Sequence, residues 1–312
     1  MKRGVGASFW VGHLIGSKRL LFYICFMTEI SKDTLWKGII EDLFEDFCAY
    51  FFPEWTNQIA DFSKPIEFLD KELEAIFPEA RSQKRYADKL VKVFTKQGKE
   101  QWILIHIEVQ GYEDKTFAER MFIYFYRIRD RYQQKVMSLA ILTDDNANFH
   151  PQKYTYEYQD TKHTYEFPSF KILQKTEQAL QIPNNPFSIV MLTARKALDK
   201  QSLADQQQLI WKRSLIQALK DAKYSTQKIR RILHFIRFYV SFDKEANQQL
   251  LNQDIQTTFK NRQNMGIEEA IIQEIKEKNT LEIASNMKKA GVPIEDISKY
   301  TGLTKEQIAN LK

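Results

Sequence analysis

The stretch Trp102-Ile103-Leu104-Ile105-His106-Ile107-Glu108-Val109-Gln110 constrains the fold more than any other part of the chain. In an extended strand successive side chains point to opposite faces, so Ile103, Ile105, Ile107 and Val109 share a purely aliphatic face. Trp102, Leu104, His106, Glu108 and Gln110 share the other, which turns polar toward its C-terminal end. A carboxylate at the end of an otherwise buried strand is costly to desolvate unless a cation or a hydrogen-bonding partner meets it. The segment before it, Tyr86 to Phe94, alternates loosely, and Gln97-Gly98-Lys99 supplies a turn. The two form a hairpin that carries Asp88 alongside.

Two carboxylates on adjacent strands at the mouth of a hairpin form a hard-oxygen site for Mg²⁺ or Mn²⁺, here Asp88 and Glu108, completed by a main-chain carbonyl such as that of Val109 and by waters. An ion there lowers the pKa of a bound water and neutralises charge on a phosphorane, both of which phosphodiester cleavage requires. A pair of ordinary strand-end charges is the competing reading.

The surroundings describe an α/β core. Apolar residues from Leu35 to Phe51 recur every three or four positions, a helical stripe over 34–52 that Asp33 can cap and Pro53 stops. A loop and a short helix around Ile66 to Ile76 follow. After the hairpin, Asp114 opens a helix through about Gln134 with Phe117, Met121, Tyr124, Phe125 and Ile128 inward, and Val136 to Leu142 reads as a buried strand. Tyr154 to Tyr158 and His163 to Phe167 suggest a second hairpin, turning over 159–162. Beyond Asn184-Asn185-Pro186 the texture is helical to the end, with a soft boundary because those helices can pack directly on the sheet.

At 312 residues and 43% hydrophobic content the chain can bury one large core, and a 13% aromatic share with only 10 Gly and 8 Pro excludes a linker-rich protein. The net charge of +6 favours an anionic partner, of which nucleic acid is the commonest, though charge alone does not decide it. Cys25 and Cys48 make neither a disulfide framework nor a zinc site, which fits a reducing cytoplasm. Two apolar runs, Phe9 to Ile15 and Leu20 to Met27, fall short of the roughly 20 residues of a membrane span, so no membrane partner is expected. Translation starting at Met27 is the expectation for this stretch.

Several stretches resemble the Rpn group of recombination-promoting nucleases, the YhgA-like transposase family within the PD-(D/E)XK superfamily. They are Trp36-Lys37, Glu67-Phe68-Leu69-Asp70-Lys71-Glu72, Ala87-Asp88-Lys89-Leu90-Val91-Lys92-Val93, Ile105-His106-Ile107-Glu108-Val109-Gln110, the run Phe117 to Tyr124, and Phe167-Pro168. The resemblance implies a restriction-endonuclease-like mixed sheet flanked by helices, followed by an all-helical C-terminal region. The changes of texture along the chain divide it into residues 1–27 as an extension, 28–185 as the nuclease-like domain, 186–280 as a helical region and 281–312 as a helix-turn-helix-like tail. Asp88 takes the place of the motif aspartate, and Glu108 with Gln110 that of the E-x-Q pair. An acid on the first helix completes such sites, and Glu41 is the best match, with Glu45 the alternative. The implied activity is Mg²⁺-dependent DNA cleavage linked to recombination or mobile elements. A DNA-binding or regulatory module that keeps the fold without hydrolysis is the rival, and a homo-oligomer is compatible with either.

Gln110 stands where most of the superfamily has a lysine that orients water and stabilises the transition state. Lys92 shares the face of Asp88 but lies roughly 13 Å away at strand rise, a poor substitute. His106 is either a supporting residue or a hydrogen-bonded core histidine. Arg120 and Tyr124 either steady Glu108 or touch phosphate, or else pack and pair at the surface. Lys223, Lys228, Arg230, Arg231 and Arg237 make a basic helix for which a solvated face is the plainer account. In the tail, Gly291 and Gly302 are stop signals and Thr304 with Gln307 fits a capping box, which allows DNA reading, a packing cap or self-association. A transposase of the RNase H-like type is disfavoured, because the acids cluster on one hairpin.

Overall fold

A computed structural model describes residues 31–76, 87–96, 102–199, 204–259 and 280–311, apart from 282, 286 and 290, and the side chains of 74–76, 87–88 and 102–103 fall outside it. The expectations for residues 1–27, including the start at Met27, lie outside the described residues.

The helical stripe is realised as two helices, α1 (Lys32–Asp42) and α2 (Phe44–Phe51), separated at Leu43 with φ −123° and ψ 32°. No glycine or proline marks this break. Leu43 is itself buried, and the bend lets both helices press aromatic and aliphatic residues into one core. The α1 cap is Ser31, whose side chain accepts from the Thr34 N–H, and Asp33 instead pairs with Lys37 at 3.3 Å inside the helix. Pro53 ends one helix by starting another, occupying the first turn of α3 (Pro53–Gln58), where its missing N–H costs nothing. The short helix expected next is split into strand β1 (Glu67–Phe68) and α4 (Asp70–Ile76).

The central sheet contains β1, β2 (Ala87–Phe94), β3 (Trp102–Gln110), β4 (Lys135–Leu142) and β7 (Ser169–Lys171), in the order β1-β2-β3-β4-β7. The first three strands are antiparallel, while β3, β4 and β7 run parallel. The sheet is therefore mixed, and the N-terminal end of β2 meets the C-terminal ends of the three parallel strands. α5 (Phe117–Tyr132) makes the crossover from β3 to β4. The hairpin β5 (Lys153–Tyr158) and β6 (Thr161–Glu166) forms a separate two-stranded sheet against α5, with a two-residue turn at Gln159 (φ 49°) and Asp160 in place of the longer turn expected. Phe125 faces this hairpin, stacking on Tyr165 at 4.8 Å.

Alternation along β3 sorts the two faces. Ile105, Ile107 and Val109 enter the large core with α1 and α2, whereas Leu104 packs with Leu90, Tyr124 and Ile128 under α5. The large core continues into α6 (Phe187–Leu198), α7 (Asp205–Asp221), α8 (Thr226–Tyr239) and α9 (Glu245–Phe259). The Trp36 indole N–H donates to the Tyr239 hydroxyl at 3.0 Å, tying α1 to α8. Lys228 pairs with Asp46 at 2.6 Å and Arg231 with Asp42 at 3.3 Å, so the basic helix directs charge onto α1 and α2. In the tail, α10 (Ile294–Thr301) and α11 (Lys305–Ala309) join through Gly302 (φ 74°), and Thr304 and Gln307 form a reciprocal capping box. Ala284, Ile297 and Ile308 make a small core of their own there. No helix among the described residues is long and apolar enough to cross a membrane.

Candidate active site

β2 and β3 pair so that Asp88 lies directly opposite Glu108, with Ala87 opposite Val109. Directly opposed residues in an antiparallel pair share a face, with Cβ atoms roughly 4.5–5.5 Å apart. Position 88 is thus the register partner of Glu108, which lies on the α5 face at the end of the sheet where the parallel strands finish. The Asp88 side chain lies outside the described residues. On the other side, β4 sets the small Ala140 beside Glu108 and Leu142 beside Gln110.

Glu108 and Gln110 are both 0% exposed. Arg120, near the start of α5, meets them: its Nη2 donates to Glu108 Oε1 and to Gln110 Oε1, each at 2.9 Å. Its Nη1 donates to Asp114, which also accepts from the Thr116 N–H and hydroxyl, both at 2.8 Å. Burial pushes the Asp114 carboxyl up, but the Thr116 hydrogen bonds and the Arg120 charge outweigh it and hold the group below its ordinary 3.8. Gln110 Nε2 donates to the Tyr112 carbonyl at 2.7 Å, and the Gln110 carbonyl accepts from the Thr143 N–H at 2.8 Å. His106 is wholly buried, with Nε2 3.7 Å from Glu108 Oε2 and its ring edge-on to Tyr124 at 5.1 Å. Beyond this end of the sheet a groove of about 410 Å³ opens, lined by Glu113, Asp114, Asn146, Phe149 and His150 among others.

Glu41 occupies the opposite face. There Lys89, 1% exposed, donates to both Glu41 and Asp70 and sits 5.2 Å from the Phe68 ring centroid. Burial raises the Asp70 carboxyl above its ordinary value, against the pull of Lys89. The β2–β3 register therefore sets Asp88 opposite Glu108, two residues before Gln110 on β3, and Glu41 pairs with Lys89. Glu45 lies beyond the Leu43 break and is exposed on α2. Lys92 pairs with Glu67 at 3.0 Å.

Three features of this end of the sheet escaped the sequence. Burial raises the Asp33 carboxyl, Lys37 lowers it, and Glu108 pushes it up again, so the first turn of α1 feels the site's charge. Asp114 reads as a helix opener and instead anchors Arg120; its spacing from Arg120 carries no periodic signal. Lys171, fully buried, lies on the row Gln110–Leu142–Lys171 and donates to Asp144 at 2.5 Å. The strand that holds it is three residues long, too short to read from alternation.

Among the described side chains no group of three or more His, Cys, Asp or Glu residues could hold a metal ion. The fit of a cation rests on donor chemistry: the Glu108 carboxylate, the aspartate opposite it and main-chain carbonyls are hard oxygens of the kind Mg²⁺ takes. Arg120 already balances one Glu108 oxygen.

The fold and its site define a mixed α/β protein with an acid-bearing hairpin beside parallel strands. The chain belongs to the family described as "Putative transposase, YhgA-like", which it matches over residues 41–249. That span includes Glu41, Asp88, Glu108, Gln110 and Arg120 and stops short of the tail. No curated protein and no solved structure matches the chain.

Proposed function

We propose that the chain is a divalent-metal-dependent DNA endonuclease on a PD-(D/E)XK core, acting in recombination or mobile-element transactions. The register that sets Asp88 against Glu108 carries this reading, because two carboxylates on neighbouring strands attract a hard cation at the sheet end where α/β proteins bind ligands. Membership of a family described as transposase-like supports DNA as the substrate.

Asp88, Glu108 and the Val109 carbonyl would hold Mg²⁺ or Mn²⁺. When bound, the ion supplies the Lewis acidity that activates water near neutral pH and offsets charge growing on the phosphate. The chain's own residues position the rest. Gln110 has one amide N–H on Tyr112 and a second N–H to offer a water, with its orientation set by Arg120. Glu108 is wholly enclosed, which keeps its carboxylate out of bulk water and strengthens electrostatic interactions there. Glu41 can join only by leaving Lys89.

The test is nicking of supercoiled DNA by the purified full chain. Cleavage that needs Mg²⁺ or Mn²⁺, stops with chelator and drops at least about a thousandfold in Asp88→Ala is expected. An Asp88→Ala protein that cuts at the wild-type rate overturns the proposal. One observation favours a second reading, a DNA-binding module without hydrolysis: Glu108 and Gln110 are wholly enclosed and Arg120 already balances the glutamate. Salt-dependent DNA binding that ignores both Mg²⁺ and Glu108→Gln would select it.

A further inference from the structure

Since Glu108 and Gln110 are 0% exposed, neither is the group an approaching polyanion meets first. Arg120 is 16% exposed, and its anchor Asp114 lines the groove beyond the sheet. The guanidinium is a rigid fork with five N–H donors, and here it spans three acceptors: Glu108 and Gln110 on one nitrogen, Asp114 on the other. A lysine ammonium is a point charge and cannot impose the same plane.

The contacts also fix the Gln110 amide. Its oxygen faces a donor, Arg120, and its nitrogen faces an acceptor, the Tyr112 carbonyl. Turning the amide over would set NH₂ against the guanidinium and oxygen against oxygen. Arg120 thus selects one of two orientations for the side chain that stands where a lysine would be.

We propose that Arg120 is the positioning residue of the E-x-Q site, holding Glu108 and Gln110 in one geometry and supplying beside Gln110 the positive charge that glutamine lacks. This rests on the nuclease reading. It explains how a site without the lysine keeps a cation next to its water-orienting group, and why that cation comes from the crossover helix. A charge-assisted pair fixed by three acceptors needs no reorganisation as negative charge develops.

Two measurements test it. The first follows the Gln110 side-chain NH₂ signals by ¹⁵N NMR in the full chain, assigned through Gln110→Glu, and needs no turnover. Arg120→Gln should shift them and speed their exchange with water, while Arg129→Gln, an exposed arginine on the same helix, should leave them alone. The second is single-turnover DNA cleavage across Mg²⁺ concentration. Arg120→Gln should lose roughly 100-fold to 1,000-fold in maximal rate, with Arg120→Lys recovering part of it and Asp114→Asn losing less. Thermal melts check that each variant is folded, and the milder Asp114→Asn keeps the test usable if Arg120→Gln is not. Unchanged Gln110 signals, or a folded Arg120→Gln protein that cuts at the wild-type rate, overturns the inference. A wild-type chain that cuts with no divalent metal at all removes the metal reading, and one that never cuts removes the nuclease reading and the charge role with it; the NMR arm still decides whether Arg120 orients the amide.

Discussion

The two faces of the β2–β3 ribbon solve the same problem with opposite signs. On the α1 face the strand contributes a buried cation, Lys89, and the acids Glu41 and Asp70 reach solvent, at 38% and 30% exposure. On the α5 face the strand contributes a buried anion, Glu108, and its partner Arg120 is 16% exposed, as is Asp114 on the other side of the guanidinium. The residues sit one position apart in register, since Asp88 faces Glu108 and Lys89 faces Ile107. One face offers carboxylates to water and the other offers a cation over a carboxylate. The second sets a partly exposed cation beside the glutamate proposed to hold the metal.

This contrast can be broken or sharpened by substitution, beginning with the largest expected effect on stability. Removing Lys89 strips a buried stem and leaves two acids facing each other, so Lys89→Ala should cost about 3 kcal/mol in denaturant unfolding, with Lys89→Met milder because the apolar stem remains. A cost near zero would mean the α1-face cluster contributes nothing to the fold. Glu108→Gln keeps shape and hydrogen-bonding atoms while deleting the charge. It should cost about 1–3 kcal/mol and abolish metal-dependent cleavage, whereas equal cleavage would detach the chemistry from this face.

Asp114 supplies a pH test. Its folded value lies below the ordinary 3.8, so its contribution is complete above about pH 4–5 and is lost as pH falls through the folded value. The melting temperature of the wild type should therefore fall more steeply between pH 5 and pH 3 than that of Asp114→Asn, a variant costing about 1 kcal/mol at neutral pH. Parallel curves would show that Asp114 is not the anchor described. Smallest is Glu41→Gln, which alters a half-exposed pair and should change stability by less than about 1 kcal/mol and cleavage by only a few-fold. A thousandfold rate loss there would move Glu41 from the lysine cluster to the metal.

What the sequence made legible follows period and resemblance. The alternation of β3 and its hairpin with β2 are visible in nine residues, and the register that opposes Asp88 to Glu108 follows from that hairpin. The amphipathic run Phe117 to Ile128 likewise announces its helix. The break at Leu43 was hidden because tertiary packing, with no local breaker, sets it. Strands β1 and β7, at two and three residues, are too short for any periodicity to show. Glu41 and Lys89 look unrelated in sequence, 48 residues apart, and only the docking of α1 on β2 makes them a pair. Arg120 was visible as a residue near the site; its three acceptors, one of them in the loop after β3, were not.

The hydrogen bond between Trp36 and Tyr239 spans 203 residues of chain. During synthesis at about 5–20 residues per second, the first helix emerges on the order of 10–40 s before its partner exists. Throughout that interval the aromatic side of α1 and α2 has no α8 to cover it. The chain therefore finishes its main core late, and an occupant of that uncovered face, such as a chaperone, has time to act before the last helices close.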